Sequence, residues 1–188
     1  MKYLTLIALT ATLSSPAWAA PETYVLDESH TLPRFSYSHF GYSTQLSRFD
    51  KATGKIVIDR EAKSGSVNVS VDTKSVNTGS TLFNDHIQGE DFLHTAQYPV
   101  MTFTSTQLKF DGENPVAVEG ILTLKGISKP VTLTITSFQC MPHPMLKKQA
   151  CGANATTVIK RSDFNMGKYA PNVGDDVTVN IPVEAIKE

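Results

Sequence analysis

Apolar and polar residues alternate with a period of two along nearly the whole chain, and a pattern of that extent commits it to sheet. Pro33, Phe35, Tyr37 and His39 share one side of a stretch whose other side carries Arg34, Ser36 and Ser38. Ile56 and Ile58 alternate in GKIVID, Val67, Val69 and Val71 in SVNVSVD, and Met101 and Phe103 in VMTFTST. Leu122 and Leu124, then Val131, Leu133 and Ile135, alternate with threonines in GILTLKGISKPVTLTI. Val177, Val179, Ile181 and Val183 do the same near the C-terminus. Alternation of this kind marks strands with one buried face. Turn signals separate the runs at Ser64-Gly65, in DGENP from Asp111, and at Gly174-Asp175. Eight main strands are predicted, at about 31–40, 48–60, 65–72, 100–110, 115–124, 129–140, 154–163 and 176–185, with a short one at about 24–27. Pro182 cannot donate to a ladder, which predicts that the last strand is at an edge or bulged there.

Only STLFNDHIQGEDF has helical spacing. Phe83 and Ile87 lie one turn apart, Ser80 or Thr81 is placed to cap the start, and Gly89 to end it. One short helix in the long connection 73–99 cannot cover eight strands, so the sheet must cover itself as a sandwich or a closed barrel. The succession of short turns suits an up-and-down barrel, whose interior at eight strands holds side chains or one small ligand.

The N-terminus reads as a signal peptide, residues 1–19. Lys2 precedes an apolar stretch from Tyr3 to Leu13, and Ala17-Trp18-Ala19 is a small-x-small cleavage site. The single domain is then 20–188, and the only Trp leaves with the signal. Export to the periplasm is the expected localisation. Without Lys2 the basic count falls from 17 to 16 against 18 acidic residues, a net charge of −2. That balance offers nothing to nucleic acid. No second long apolar run is present, so no membrane span is expected, and no Cys follows the signal to carry a lipid anchor. Two cysteines in an exported chain, Cys140 and Cys151, predict a disulfide closing the loop CMPHPMLKKQAC.

Catalytic signatures are scarce. His86 and His94 share the long connection with Asp85, Glu90 and Asp91, without the close pairing a zinc site wants. No metal ligand set and no catalytic residue is assigned, and Asp85 and His86 are read as residues that tie the connection down. There is no G-x-S-x-G and no phosphate-cradling glycine loop. His39 shares the Phe35–Tyr37 face, as a structural histidine or a ligand contact. Arg161 shares a face with Ile159. Inside a barrel it needs an internal carboxylate or a polar head group at the mouth; otherwise a bulge must turn it to solvent.

Four stretches, in order, resemble one family. They are SHTLPRFSYSHFGYS, then SVNTG with NDHIQGEDFLHTAQYPVMTFTST, then GILTLKGISKPVTL, then KRSDFNMGKY. The chain is similar to the YceI-like family of exported bacterial proteins over about Pro21–Lys187. The resemblance implies an extended, lipocalin-like, eight-stranded antiparallel barrel whose apolar interior holds a long isoprenoid lipid. The inward residues then become lipid contacts: Phe35, Tyr37 and His39; Met101 and Phe103; Leu122, Leu124, Leu133 and Ile135; and Ile159, Arg161 and Phe164. Phe83, Ile87 and Phe92 are expected to form a lid.

A pyrophosphate head would want several cations, and the only basic pairs are Lys147-Lys148 and Lys160-Arg161. The neutral head of an isoprenoid quinone such as ubiquinone is therefore preferred over polyprenyl phosphate. No catalytic cofactor is expected, and a homodimer is left open. Two alternatives stand beside carriage or storage of a lipid. One is an enzyme acting on a lipid in the barrel, with His39 as acid or base. The other is a β-sandwich interaction module with a filled core.

Overall fold

The computed structural model describes residues 20–188; the predicted signal peptide lies outside them. Strands follow the alternation. They are β1 (Glu22–Leu26), β2 (Arg34–His39), β3 (Ser43–Phe49), β4 (Ala52–Asp59), β5 (Ser64–Asp72), β6 (Val76–Asn77), β7 (Val100–Asp111), β8 (Asn114–Leu124), β9 (Ile127–Pro142), β10 (Gln149–Lys160) and β11 (Asp176–Lys187). One helix, α1 (Thr81–Ile87), lies in the connection before β7.

All pairings are antiparallel, and β1 bonds to both β4 and β11, which closes the sheet on itself. β2 continues β1 along the same flank of β11, from Leu26 opposite Ala185 to Arg34 opposite Asn180. β3 runs on into β4, and β5 into β6, each across a short break. Eight continuous staves result, each beside its sequence neighbour: an up-and-down barrel. The sandwich alternative is thereby excluded, because closure leaves no second sheet to pack against.

Several boundaries differ from the sequence reading. The strand expected at about 48–60 starts at Ser43 and breaks at Asp50–Lys51. Its first half escapes the pattern because two of its inward positions are the polar Gln45 and Ser47, opposite Tyr37 and Phe35. The turn before it is tight, with Phe40 at φ 52° and Gly41 at φ 71°, a conformation that glycine adopts without cost. β9 and β10 run further than expected and carry Cys140 and Cys151 as directly opposed partners, so the disulfide staples a hairpin and the true loop is only 143–148. β9 also carries a bulge. Thr136 and Ser137 both face outward, which returns Phe138 to the interior.

Pro182 does not mark an edge. β11 is paired with β10 throughout, and Pro182 falls in the gap on its other flank, between the β2 and β1 pairings. The missing N–H costs nothing where no strand lies alongside. α1 ends at Ile87, with Gln88 as its C-cap residue. Ser80 makes no side-chain cap bond; instead the Asn84 side chain accepts from the Thr78 N–H and hydroxyl.

The buried apolar residues form three separate clusters instead of one core. Phe49, Val71, Ile87, Leu93, Leu124 and Phe164 gather at the α1 end. Tyr24, Leu26 and Ala185 form a second cluster, and Phe103, Leu108 and Val118 a third. Phe103 reaches its place because Gly120 beside it has no side chain; an added Cβ there would stand 2.5 Å from the Phe103 ring.

Candidate ligand cavity

Between these clusters the barrel is hollow. A cavity of about 510 Å³ runs through it, lined from every strand except β6 and from the α1 connection. Leu133 and Ile135 point into it, while Thr132, Thr134 and Thr136 lie exposed on the outer face. Leu133 and Ile135 are only half-buried, because they face the hollow where a filled core would offer neighbours.

Fourteen of the fifteen residues expected to face a ligand line this cavity: Phe35, Tyr37, His39, Phe83, Ile87, Phe92, Met101, Phe103, Leu122, Leu124, Leu133, Ile135, Ile159 and Arg161. Phe164 does not. The chain leaves β10 at Lys160 and winds into a 3-10 turn over Arg161–Phe164, so strand alternation stops and Phe164 is driven into the cluster at the barrel end, 1% exposed. The prediction missed Tyr24, Leu26, Val69, Val71, Val177 and Val179 as lining residues. The same alternation marked the four valines as inward.

Arg161 is inward and 6% exposed, and among the described residues its guanidinium bonds to backbone carbonyls and to no carboxylate. Its Nε donates to the Gly174 carbonyl at 2.9 Å, Nη2 to Val173 at 2.7 Å, and Nη1 to Met166 and Lys168. The guanidinium also lies over the Phe92 ring, 5.7 Å from its centre. Backbone carbonyls of the loop after β10 thus take the place of an internal carboxylate, and the charge pins that loop over the barrel end. Burial pushes the Arg161 pKa down, against the opposing pull of Asp175.

That end collects the β2–β3 turn, the α1 connection, the β8–β9 turn and the loop before β11. The Phe40 N–H donates to the Asn172 carbonyl at 2.6 Å. Lys125 Nζ donates to the carbonyls of Glu90 at 2.6 Å and Asn165 at 2.9 Å. Asp91 accepts from Lys168 at 2.6 Å and from the Tyr169 hydroxyl at 3.0 Å. Asp91 and Lys125 therefore tie the connection down, where Asp85 and His86 were expected to do so. His86 stands in an aromatic row from Phe83 through Phe92 to Tyr169. Phe40, His86 and Tyr169 line the cavity and are also exposed, which marks this end as the mouth. At the other end Arg60 lies over the Phe138 ring.

No Asp, Glu, Ser or Lys lines the cavity among the described residues. The Tyr37 hydroxyl makes no hydrogen bond to a described residue, and burial raises its pKa. Tyr24, deep in the barrel, is pushed up to about 12 by burial and by its hydrogen bond to Glu22. Such an interior can solvate an apolar chain and offer a polar group or two to its head. Among the described residues, the one grouping of histidine and carboxylates with metal-like proximity, Asp27, His30 and Glu184, lies on the outer surface. No helix among the described residues is long and apolar enough to cross a membrane.

A closed antiparallel barrel of eight staves around an apolar hollow defines a lipocalin-like class. Residues 24–185 match the YceI-like domain, and the chain belongs to that family. Protein YceI of Escherichia coli is 33% identical over 185 residues, covering 97% of this chain and 96% of its own. A solved Campylobacter jejuni YceI structure is 27% identical with a TM-score of 0.69, covering 80% of this chain and 90% of that one. A polyisoprenoid binding domain from Saccharophagus degradans shares the fold at 19% identity and a TM-score of 0.65, covering 88% of this chain and 98% of that one.

Proposed function

We propose that this protein binds one long isoprenoid lipid in the bacterial periplasm, for carriage or storage, and that the lipid is a quinone. The observation that carries the reading is the apolar hollow of about 510 Å³, within the usual range of about 300–1,000 Å³ for ligand sites. Each methylene moved from water onto that lining contributes about 0.8 kcal/mol, so a polyprenyl tail is held along its length with few polar contacts. The Saccharophagus domain of the same fold is described as polyisoprenoid-binding, which agrees with this use of the barrel.

The head-group preference has its own support. The cations on the lining are Arg34 and Arg161, and Arg161 already donates to four backbone carbonyls. A pyrophosphate finds little free positive charge there, whereas a quinone carbonyl can accept from the unengaged Tyr37 hydroxyl. Binding is favoured over turnover because, among the described residues, no carboxylate lines the cavity to serve with His39 or His86 as an acid–base pair.

Periplasmic residence rests on the signal-like pattern of residues 1–19 and on the disulfide, which persists in oxidising compartments. The test is organic extraction of protein recovered from the envelope, followed by mass analysis, with native mass spectrometry of the intact complex. One unmodified quinone per chain is expected. A chemically altered lipid would favour an enzyme. Protein that carries no lipid and takes up none from detergent would end the proposal.

A further inference from the structure

We propose that the mouth end of the barrel docks on the surface of a lipid bilayer, with the rim around the cavity as the contact. This rests on the lipid-binding reading and names the partner it requires. Tyr42 is 90% exposed, Leu82 82% and Leu46 71%, and none of them lines the cavity. A lipid held inside would leave all three facing water. Leu46 lies on the outer face of β3, opposite Ser36, while Tyr42 and Leu82 continue the lining outward. Phe40 belongs to both surfaces, stacked on Tyr42 with ring centres 6.5 Å apart, and Leu82 is the residue before Phe83, which lines the cavity.

The chemistry of the rim selects the occupant. Phe40–Leu46 reads FGYSTQL and Ser80–Asn84 reads STLFN, with no charged residue in either, although Asp85 follows directly; Asp91 and Lys168 at the same end neutralise each other at 2.6 Å. Large apolar and aromatic side chains among uncharged polar ones suit the interfacial layer of a bilayer. Transfer through open water would expose a polyprenyl tail at about 0.8 kcal/mol per methylene. A mouth resting on the membrane removes that barrier, and the rim is where such contact must occur.

The opposite pole serves as an internal contrast. The β9–β10 turn exposes Met145 and Leu146 beside Lys147 and Lys148. A membrane contact made there would favour anionic lipids and weaken with salt, whereas the rim contact needs neither anionic lipid nor low salt.

The experiment is co-sedimentation of delipidated processed protein with phosphatidylcholine vesicles at low and high salt, alongside the rate of quinone uptake from those vesicles. Equilibrium uptake of quinone from detergent is measured separately. The wild type should bind neutral vesicles at both salt concentrations. The combined variant Tyr42→Ser, Leu46→Ser, Leu82→Ser should lose at least about ten-fold in vesicle binding and uptake rate, yet take up as much quinone from detergent. Met145→Ser with Leu146→Ser should match the wild type. As a second measure that leaves the rim intact, Tyr42→Trp should be quenched by brominated lipid and Met145→Trp should not. Normal detergent uptake without vesicle binding, binding only to anionic vesicles, or a loss confined to the Met145 variant overturns the docking proposal alone. Failure of detergent uptake by the wild type overturns the lipid-binding reading instead.

Discussion

Leu133 and Thr134 are adjacent on β9 and face different media, one the cavity and the other solvent. Leu133→Asp puts a carboxylate where a lipid tail is proposed to lie. It should abolish lipid loading and destabilise the barrel by about 2 kcal/mol, the scale for burying a polar group without partners. Thr134→Asp should fold and load as the wild type does, apart from a small loss of strand propensity. Lipid content per mole, with circular dichroism as the folding check, decides it, and a folded Leu133→Asp with a full load removes this hairpin from the site. The faces of such residues were legible in the sequence because alternation is a geometric property of strands. Arg161 was legible as inward, but its partners were not: they are carbonyls of Met166, Lys168, Val173 and Gly174, and every residue type supplies a carbonyl. Phe164 misled because a 3-10 turn begins one residue after the strand ends.

At the scale of elements, the excursion between β1 and β2 is fastened to β11 by Thr31, which donates to the Glu184 carbonyl at 3.0 Å and accepts from the Glu184 N–H at 3.1 Å. Beside it, Ser29 and His30 hold the Asp27 carboxyl down to about 2, with Ser29 the larger influence, and Asp27 in turn raises the pKa of His30. The signs follow from linkage. Stability from Asp27 is present above its unfolded value near about 3.9 and is lost as pH falls through about 2. Stability from His30 is complete below its unfolded value of about 6.5 and is lost as pH rises through the raised one. The pair thus supports the excursion best between about pH 4 and 6.5. In Asp27→Asn the midpoint of His30, followed by NMR of the ring protons, should fall toward the ordinary value; an unchanged midpoint would show that Asp27 does not hold the imidazole. None of this was legible beforehand, because the excursion interrupts the alternation that identified everything else. β3 was half lost for a related reason: Gln45 and Ser47 are polar residues on an inward face.

At the scale of the whole molecule, the sequence could not distinguish a barrel from a sandwich, since both present the same alternating strands; the pairing of β1 with β11 makes the difference. Nor could it distinguish a filled interior from a hollow one, because inward Val, Leu and Phe read alike in either. The hollow has an energetic consequence. Three separate clusters surround about 510 Å³ of unfilled apolar space, so the lining forgoes the dispersion contacts of a packed core. A bound lipid tail restores those contacts and stabilises the folded state by mass action, by about 2.7 kcal/mol when free lipid stands at 100 times its Kd. For a domain of this size each kcal/mol moves the midpoint by about 2–4 °C. Delipidated protein should therefore melt about 5–10 °C below the loaded form, and adding back a quinone with its polyprenyl tail should restore the difference. The short-tailed analogue with the same head should restore much less, because the stabilisation scales with methylenes buried. Calorimetry of the three preparations checks this. Equal midpoints with and without the long-tailed lipid would mean that the hollow is not completed by an apolar chain, and equal rescue by the short-tailed analogue would move the binding energy from the tail to the head.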